Sequence, residues 1–581
     1  MRRRVPYGVA NYAELVRDHS FFVDKTPYIA KLEQVKNPVF LRPRRFGKSL
    51  LCTMLWYYYD INYAAEFDSL FGHTWIGQHP TGQQNQYIVL SLDFSSISVG
   101  PTVAEIEQSF KRQCNYTVDS LRHAYPSLLG ELPEIDQKAS VADAMDILLS
   151  FLNTRRLPPL YIIIDEYDNF ANQLITGNKD HLYRQLTADD SFFKTFFKTL
   201  KEGRKTGAIV NVFITGVLPV KIDELASGFN IGTFLTLRPE FEAMLGFTQS
   251  EVDQLMNDVY EDYGINPATR DEVADVIRNH YNGYHFAELD GEALYNSTIL
   301  MFFLDNFTAQ AEIPESLIDP NLKTDISWVR RLTASNPQLT EAFVQQLTLE
   351  NTIEYDIRFL REKFDMHQFF EPGYFPISFF YLGMLTRQDR FAMRLPNLNM
   401  RQIFVEYFNQ IHAIDVSTRY TAIMQSFVNE PNLERLFAGY WREYVSQLPE
   451  AVFARMNENF YRTTFYELCS RYLSGWFTWN VERSYPSGKS DPFDRLRASL
   501  EFVGSYHEKF AGLRWVIEFK YYSNAEFRKF NTPIEEFAVR EEDRHQLAGY
   551  VQGVRQEYPD ARIEQFVIYC FGNQGFRVIA I

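Results

Sequence analysis

Cysteine is scarce in this chain, since its 581 residues include only four. The four are far apart and no two of them stand in a CxxC spacing, so neither a disulfide framework nor a structural zinc site is suggested. Long apolar runs are also lacking, because no stretch of about 18 apolar residues occurs. The arginines at the N-terminus are not followed by the apolar segment of a secretory signal. These absences together predict a cytoplasmic protein with no membrane partner.

Basic residues are in the minority. The chain has 58 Lys and Arg against 74 Asp and Glu, which gives a formal charge of -16 and excludes a protein that coats nucleic acid through its overall charge. The acidity is uneven, because residues 451–581 hold 17 basic and 17 acidic side chains and the first 450 residues carry the whole -16. The C-terminal part is therefore the one whose charge is compatible with a phosphate backbone.

Internal repeats and low-complexity tracts are absent from the sequence, while large core-forming side chains are abundant. The 50 Phe and 35 Tyr contribute most of an aromatic content of 16%. This composition excludes wholesale disorder, and the length predicts several domains.

The hydrophobic pattern divides the chain into three segments and predicts an α/β multidomain protein. In residues 1–245 the runs NPVFL, YIIID and VNVFIT are typical of buried parallel strands, which predicts an α/β domain with a parallel sheet. Helical periodicity dominates residues 246–455 and predicts a helical lid and connecting domain that begins near the capping residue Thr248. In residues 456–581 a helix, three strands, a second helix and a last strand pair predict another α/β domain.

A candidate phosphate-binding loop follows the first strand, in VFLRPRRFGKSL. Gly47, Lys48 and Ser49 come directly before a helical run, where loop amides, a lysine and a hydroxyl can bind phosphates and Mg²⁺. The full GxxxxGK[ST] pattern requires glycine at position 42, where this chain has arginine, and the short match alone is equally compatible with an ordinary helix start. The side chains that could add charge-assisted contacts to phosphate are those of Arg42, Arg44 and Arg45.

A pair of carboxylates ends the second strand, in YIIIDEYD. Asp165 would hold Mg²⁺ together with Ser49, and Glu166 would polarise the attacking water as a general base. Alone, such a pair more often marks a strand that ends at the surface. Thr215, at the end of the third strand, is a candidate sensor of the γ-phosphate. Taken with the loop upstream, this pattern predicts binding of ATP and Mg²⁺, and it leaves hydrolysis open.

Eight motifs occur in a fixed order along the chain: VPYGVANYAELV, FFVDKTPYI, FLRPRRFGKSL, YIIIDEYDNF, VFITGVLPV, MLGFTQSEV, YNGYHF and ALYNSTILMFFL. In these motifs the chain resembles the predicted AAA-ATPase-like family of bacterial proteins that carry a PD-(D/E)XK nuclease-like domain at the C-terminus. The resemblance covers nearly the whole chain and implies a P-loop NTPase fold of the ASCE, AAA-like type. It makes Arg42 a family trait, and the positions that match the Walker residues are Lys48, Ser49, Asp165 and Glu166. Asp24 and Lys25 in VDKT also match the family, and they could equally form a turn before the helix TPYIAKLEQV.

The C-terminal run WVIEFKYY contains Glu518 and Lys520 on an apolar strand. Residues two apart on a strand face the same side, and a metal-dependent phosphodiesterase site needs carboxylates for Mg²⁺ and a lysine near the water. An ExK pair alone is common and is usually an ordinary ion pair. The PD-(D/E)XK resemblance implies a restriction-endonuclease-like α/β domain acting on DNA or RNA, in which Asp491 and Glu518 hold the metal. It also implies site roles for Glu467, Glu482 and Gln546, with Tyr550 one turn after the glutamine.

The spacing between Asp491 and Glu518 is 27 residues, which is long for adjacent strands. Removal of PFDRLRAS, residues 492–499, joins Asp491 to the strand LEFVGSY and shortens the spacing to 19. We therefore predict that residues 492–499 are an inserted octapeptide and that Asp491 is the original metal ligand. The insertion could loop out, or it could carry Asp491 away and leave Ser499 in its place, with Glu501 as a substitute ligand.

The leading functional hypothesis is an ATPase whose nucleotide binding is relayed through the helical region to a C-terminal domain that binds and cuts nucleic acid. The alternative is a nucleotide-gated switch or scaffold whose nuclease-like domain is catalytically inactive and only binds protein or nucleic acid. The neutral charge of that domain and the interruption after Asp491 favour the alternative somewhat. The sequence leaves the oligomeric state open.

Overall fold

The computed structural model describes residues 2–177, 179–186, 191–219, 231–322, 337–361, 368, 371–416, 420–483, 499–506 and 508–581. The predicted metal ligand Asp491 and residues 492–498 of the predicted insertion lie outside these ranges. Ser499, the last residue of that octapeptide, is described.

A parallel sheet forms the centre of the N-terminal segment. Its strands are β1 (Pro38–Leu41), β2 (Ile88–Asp93), β3 (Leu160–Asp165), β4 (Ile209–Gly216) and β5 (Thr233–Phe234). They run in the order β2-β3-β4-β1-β5, and every neighbouring pair is parallel. The three predicted strands are confirmed as β1, β3 and β4, and they are buried along most of their length, as parallel strands covered on both faces are. The sequence reading missed β2 and the short β5.

Helices surround this sheet, and α3 packs against β2 and β3 while α11 packs against β4. Their bounds are α1 (Tyr12–Arg17), α2 (Pro27–Glu33), α3 (Lys48–Tyr59), α4 (Phe67–Phe71), α5 (Trp75–Gln78), α6 (Val103–Ala124), α7 (Pro126–Leu129), α8 (Val141–Arg155), α9 (Asn169–Thr176), α10 (Asp180–Leu186) and α11 (Phe192–Thr206).

The middle segment is mainly helical, as predicted. Its helices are α12 (Gln249–Tyr263), α13 (Arg270–Tyr281), α14 (Ser297–Gln310), α15 (Pro337–Glu350), α16 (Ile357–Arg361), α17 (Phe375–Tyr381), α18 (Leu398–Ile411), α19 (Thr421–Asn429), α20 (Leu433–Glu443) and α21 (Glu450–Phe453). Thr248 caps α12 through a reciprocal capping box with Glu251, which confirms the predicted start. A small antiparallel sheet in the order β6-β8-β7 was not predicted, because strands of two or three residues show no periodicity: β6 (Ile353–Glu354), β7 (Thr386–Arg387) and β8 (Ala392–Arg394).

The C-terminal segment is a mixed sheet between helices. Its elements are α22 (Glu458–Leu473), β9 (Phe477–Val481), β10 (Leu500–Gly504), β11 (Leu513–Tyr522), α23 (Asn524–Phe530), α24 (Glu541–Glu557), β12 (Arg562–Phe571) and β13 (Gly575–Ala580). The strand order is β13-β12-β11-β10-β9, with β11 and β12 parallel and the other neighbours antiparallel. Every predicted element of this segment is present, and the residues described here also include α23, which was not predicted.

Short 3₁₀ turns connect several of these elements, at Ile61–Glu66, Phe94–Ser96, Pro239–Met244, Pro267–Thr269, Pro372–Tyr374, Val445–Gln447 and Ile534–Glu536. The four cysteines are all buried thiols without a disulfide, as the sequence predicts. None of the helices in the described part of the chain has both the length and the apolar character needed to span a bilayer.

Candidate functional site

The loop between β1 and α3 turns at Gly47, where φ is +92°. Only glycine adopts this left-handed conformation without strain. A Cβ added at Gly47 would lie 3.6 Å from its nearest neighbour, so the backbone conformation, and not a lack of space, requires glycine here. Gly47 caps α3, and the N-terminus of this helix borders the loop at a place where anions are favoured.

Lys48 holds the loop in its curled form. Its side chain is buried, and Nζ lies 3.2 Å from the carbonyl oxygens of both Arg42 and Pro43. An ammonium group has three donors, and these carbonyls occupy two of them. The positive charge is thus held inside the loop, and the binding of phosphate by Lys48 stays a prediction.

Ser49 and Asp165 meet beneath the loop, although β4 lies between β1 and β3 in the sheet. Ser49 Oγ donates to Asp165 Oδ2 at 2.7 Å. Burial raises the pKa of Asp165 to about 6, while the hydrogen bond from Ser49 and the charge of Lys48 act in the opposite direction. A hydroxyl and a carboxylate in contact are oxygen ligands of the kind that Mg²⁺ prefers, so the two side chains fit the metal that the sequence predicts.

Glu166 follows Asp165 in a left-handed conformation with φ of +54°. Such a conformation is unfavourable for a residue with a side chain, and it ends the strand abruptly. The amide of Glu166 donates to Asp165 Oδ1 at 2.9 Å, and its half-buried side chain lines the cavity beside the loop. Asp168 secures this turn, because its carboxylate accepts the amides of Val217 at 3.1 Å and Leu218 at 2.7 Å.

A largely apolar cavity of about 280 Å³ lies against the loop. Its walls come from the loop, from the N-terminal residues 6–10, from residues 245–247 and from the start of α14. The carbonyl of Arg45 accepts the amide of Thr298 at 3.1 Å, which joins the loop to α14. The charged and hydroxyl side chains that line the cavity are those of Lys25, Arg44, Arg45, Lys48, Ser49, Glu166, Ser297 and Thr298.

Thr215 lies deep in the sheet. Its hydroxyl donates to the carbonyl of Phe40 in β1 at 2.8 Å, and the residue is buried. This hydrogen bond stabilises the pairing of β1 with β4. Thr215 is not among the residues that line the cavity. A role as a sensor of the γ-phosphate stays a prediction.

Arg42 turns away from the cavity, so the interpretation that it contacts phosphate is wrong. Its guanidinium group is buried and donates to the carbonyls of Thr236 at 3.1 Å and Glu242 at 2.8 Å. It also lies 4.0 Å from the ring centroid of Phe286 and 3.7 Å from the Glu242 carboxylate. The arginine that replaces the loop glycine therefore connects the loop to the end of the N-terminal segment and to Phe286 of the middle segment.

The VDKT motif combines a turn with a buried ion pair. The carboxylate of Asp24 accepts a hydrogen bond from the amide of Thr26 at 2.8 Å. This bond forms a turn before α2, which is one of the two interpretations that the sequence allows. Lys25 lines the cavity, and its Nζ lies 2.7 Å from both carboxylate oxygens of Glu251 in α12. Burial lowers the pKa of Lys25, although the charge of Glu251 opposes this.

The second site lies on β11. Lys520 Nζ lies 2.9 Å from Glu518 Oε1, which confirms that the two side chains face the same side of the strand. Lys520 also donates to Gln546 Oε1 at 2.9 Å, and Gln546 donates to the Tyr550 hydroxyl at 2.6 Å. The predicted residues of β11 and α24 are thus brought together around the lysine.

Ser499 stands beside Glu518. Leu500 pairs with Ile517 in the antiparallel register of β10 and β11, so the residue before Leu500 lies level with Glu518. Ser499 Oγ donates to Glu518 Oε2 at 2.9 Å. This placement agrees with the interpretation that the insertion leaves Ser499 where a metal-binding aspartate is expected, and Asp491 itself lies outside the described residues.

Glu501 does not join this centre, so its interpretation as a substitute ligand is wrong. It faces the same side of β10 as Ser499, but its carboxylate accepts Arg514 Nη1 and Asn480 Nδ2, each at 2.7 Å. The carboxylate of Glu501 is fully buried and neutralises the charge of Arg514. In the sheet, Glu501 pairs with Val516 and is therefore two residues away from Glu518 along β11.

The carboxylate of the first helix at this site is Glu458, which the sequence reading missed. Glu458 Oε1 lies 3.4 Å from Ser499 Oγ, and burial together with the charge of Glu518 raises its pKa to about 6. The predicted residue, Glu467, lies nine residues further along α22, a spacing that rotates its side chain by about 180° and places it on the opposite face of the helix. There Glu467 is buried and accepts Arg471 Nε at 3.1 Å. The spacing of the two glutamates is the signal that could have distinguished them, because two and a half helical turns place them on opposite faces of α22.

Glu482 lies apart from Glu518, whereas Asp543 lies beside Lys520. Glu482 is bound by Arg462 and Arg401 and has no contact with Glu518 among the described hydrogen bonds and ion pairs. Asp543 was not predicted, although it lies 3.7 Å from Lys520 Nζ and accepts the Tyr569 hydroxyl at 2.5 Å. Within the described ranges, no group of three or more His, Cys, Asp or Glu side chains is arranged to hold a metal ion.

Comparison with known families agrees with this architecture. Residues 6–226 match the family described as predicted AAA-ATPase, and residues 456–579 match the PD-(D/E)XK nuclease superfamily. No curated protein gives a significant match. The chain therefore carries a predicted AAA-ATPase domain and, beyond a helical middle segment, a C-terminal domain of the PD-(D/E)XK nuclease superfamily.

Proposed function

We propose that this protein binds ATP and Mg²⁺ at the loop after β1, works as an ATPase, and controls through that site a C-terminal Mg²⁺-dependent nuclease domain that acts on DNA or RNA. The observation that carries the proposal is the contact of Ser49 with Asp165 at 2.7 Å, next to the buried Lys48. We also propose 1–245, 246–455 and 456–581 as the limits of the three domains.

The residues of the loop and of the end of β3 would have different roles in nucleotide binding. Lys48 would bind the β- and γ-phosphates, and Ser49 and Asp165 would hold Mg²⁺, which supplies positive charge to the phosphate oxygens. Glu166 lines the cavity and would accept a proton from the attacking water. Arg44 and Arg45 line the same cavity and would add charge-assisted hydrogen bonds to phosphate.

Replacement of Lys48 by alanine is expected to weaken ATP binding by about 10- to 100-fold, because a charge-assisted hydrogen bond inside a buried site is lost. Isothermal titration of the full-length protein with ATP and Mg²⁺ measures this change. Lys36→Ala removes an exposed lysine just before β1 and should leave the affinity unchanged. Equal affinities of Lys48→Ala and the natural protein would show that the nucleotide site has been assigned wrongly.

The affinity for Mg²⁺ and nucleotide is expected to fall as the pH drops through about 6. Burial raises the pKa of Asp165 to about 6, so that below this pH a proton competes with the metal for the carboxylate. One competing proton lowers the affinity by at most about tenfold per pH unit. Titrations between pH 5 and 8 test this, with Asp165→Asn as the control. The extra loss at low pH should vanish in the variant, and an identical pH profile in both proteins would contradict the assignment.

The proposed coupling is supported by the position of α13 and the turn after it. Within α13, Asn279 donates to Asn480 of the C-terminal domain at 2.8 Å, and Asp275 accepts the Tyr558 hydroxyl at 3.0 Å. Just after α13, the ring of Phe286 lies under Arg42 and contacts Phe46, with 5.5 Å between the two ring centroids. One short segment therefore contacts both the phosphate-binding loop and the nuclease-like domain, which is a direct route for a displacement.

A second candidate function, a nucleotide-gated switch with an inactive nuclease-like domain, is favoured by Ser499. This residue gives Glu518 a hydroxyl neighbour where a metal-dependent nuclease needs a carboxylate. The two candidates differ in the cleavage of DNA or RNA by the natural protein and by a variant that lacks residues 492–499. Cleavage by both supports the nuclease, whereas an inert natural protein beside an active deletion variant supports the switch.

A further inference from the structure

Arginines from two domains converge on Glu482 at the edge of the C-terminal sheet. Glu482 directly follows β9, and its carboxylate accepts Arg462 Nη2 at 2.7 Å and Arg401 Nη2 at 3.4 Å. Arg462 belongs to α22 of the nuclease-like domain, whereas Arg401 belongs to α18 of the middle segment. The cluster is therefore built only when the two domains are in contact.

Two guanidinium groups share one carboxylate in this cluster. Burial lowers the pKa of Arg401, while Glu482 opposes the shift. The pKa of Glu482 is about 2, because the attraction of both arginines outweighs the effect of its burial. Buried guanidinium groups of this kind favour an anionic ligand.

Two donors of the cluster lack a partner among the described residues. Arg462 is 5% exposed, and its Nε is buried without a hydrogen bond, as is Nη1 of Arg401. Buried donors are costly when they stay unsatisfied, so such groups mark a place where a ligand oxygen is needed. The side chain of Glu482 is 36% exposed, so the cluster can be reached from solvent on that side.

The cluster lies close to the nuclease-like centre. The amide of Glu482 donates to the carbonyl of Ser499 at 3.4 Å, and Ser499 in turn contacts Glu518. These three residues stand on successive strands, and two strand spacings amount to about 10 Å. A nucleic-acid strand carries one phosphate per nucleotide, so a single strand can reach both places at once.

We infer that Arg401 and Arg462 form a phosphate-binding subsite, shared by the middle segment and the C-terminal domain, which holds the backbone of a nucleic-acid strand while a nearby phosphate of that strand lies at Glu518 and Lys520. The inference rests on the proposed action on nucleic acid. It assigns no base preference, because guanidinium groups that bind phosphate read charge and not sequence. Glu482 then acts as the internal anion that occupies the subsite when no strand is bound.

The subsite also has a connection to the nucleotide-binding domain. Asn399, two residues before Arg401 on α18, accepts a hydrogen bond at its Oδ1 from His280 Nδ1 of α13 at 2.8 Å. The turn after α13 contacts the phosphate-binding loop through Phe286. A shift of α13 would therefore move Arg401 relative to Arg462 and change the affinity for the strand.

The test is the binding of fluorescein-labelled oligonucleotides to the full-length protein, measured by anisotropy in EDTA so that no cleavage interferes. Arg401→Gln and Arg462→Gln are each expected to weaken binding about tenfold for DNA and RNA alike. In each variant the plot of log affinity against log salt concentration should also become less steep, by the amount that corresponds to about one lost phosphate contact. Glu482→Gln removes the internal competitor and is expected to strengthen binding several-fold, a gain that a misfolded variant cannot give. Arg435→Gln, an exposed arginine of α20, is the matched control and should bind normally.

The outcomes separate this inference from the proposed function. If Lys520→Ala abolishes cleavage but the Arg401, Arg462 and Glu482 variants keep the natural affinity and salt dependence, the nuclease proposal stands and the subsite is refuted. If Glu482→Gln binds more tightly and the arginine variants bind more weakly while the natural protein cuts nothing, the subsite stands and the nuclease proposal fails. A natural protein that binds neither DNA nor RNA overturns both.

Discussion

Replacement of Arg42 by glycine, the residue that the full phosphate-binding pattern requires at this position, is expected to destabilise the N-terminal domain by about 3 kcal/mol. The guanidinium group is buried between two carbonyls, the Glu242 carboxylate and the ring of Phe286, and burial lowers its pKa to about 10. Removal of one partner of a buried pair usually costs about 3–5 kcal/mol. The lower end applies, because Glu242 still accepts the amides of Phe286 at 2.8 Å and Ala287 at 2.7 Å.

Calorimetry measures this loss as a shift of the transition that contains the N-terminal domain, and a domain of this size should unfold about 6–12 °C lower. Arg44→Gly is the matched control, because Arg44 is only two residues away but lines the cavity. That variant should lose nucleotide affinity and keep most of its stability. If Arg42→Gly is as stable as the natural protein and loses ATP binding, Arg42 contacts phosphate after all.

Replacement of Lys520 by alanine is expected to lower Mg²⁺-dependent cleavage of DNA or RNA by about 10²- to 10⁴-fold. Lys520 contacts Glu518 and Gln546, each at 2.9 Å, and Asp543 at 3.7 Å, so it is the central cation of the site. The attraction of Glu518 raises its pKa despite the opposing effect of burial, so the side chain is positively charged at neutral pH. A charge in this place offsets the negative charge that develops on a phosphate during hydrolysis.

Cleavage of labelled oligonucleotides with Mg²⁺ gives the rate for each variant. Lys529→Ala, an exposed lysine of α23 in the same domain, should cut at the natural rate. Glu518→Gln should show a loss as large as that of Lys520→Ala, because two residues that act as one unit give losses that do not add. Undiminished cleavage by Lys520→Ala would place the reaction elsewhere in the chain.

Most elements with a clear apolar pattern could be predicted from the sequence, although the six-residue β2 was missed, and the two-residue strands could not. The apolar runs of β1, β3 and β4 are long enough to show a buried strand, and so are the strands around Glu518. The two-residue strands β5, β6 and β7 carry no such signal. Their pairing depends on neighbours that are distant in the sequence.

The candidate sites follow the same division. Lys48, Ser49, Asp165, Glu518 and Lys520 were predicted because their chemistry depends on local spacing within a loop or a strand. Glu458 was missed because α22 contains two glutamates and only packing decides which face of the helix meets the sheet. Arg42 was misread for the same reason, since its side chain contacts residues about 200 positions away.

By itself, the sequence determined the two domain types, most of their strands and the candidate residues whose proposed roles depend on short spacings. Only the tertiary structure decided which side chain contacts Glu518, which arginine of the loop turns away from the cavity and which arginines of separate domains meet at Glu482. The physical reason is that hydrogen bonds and ion pairs act over about 3–4 Å, so partners remote in the sequence are chosen by packing and leave no local pattern.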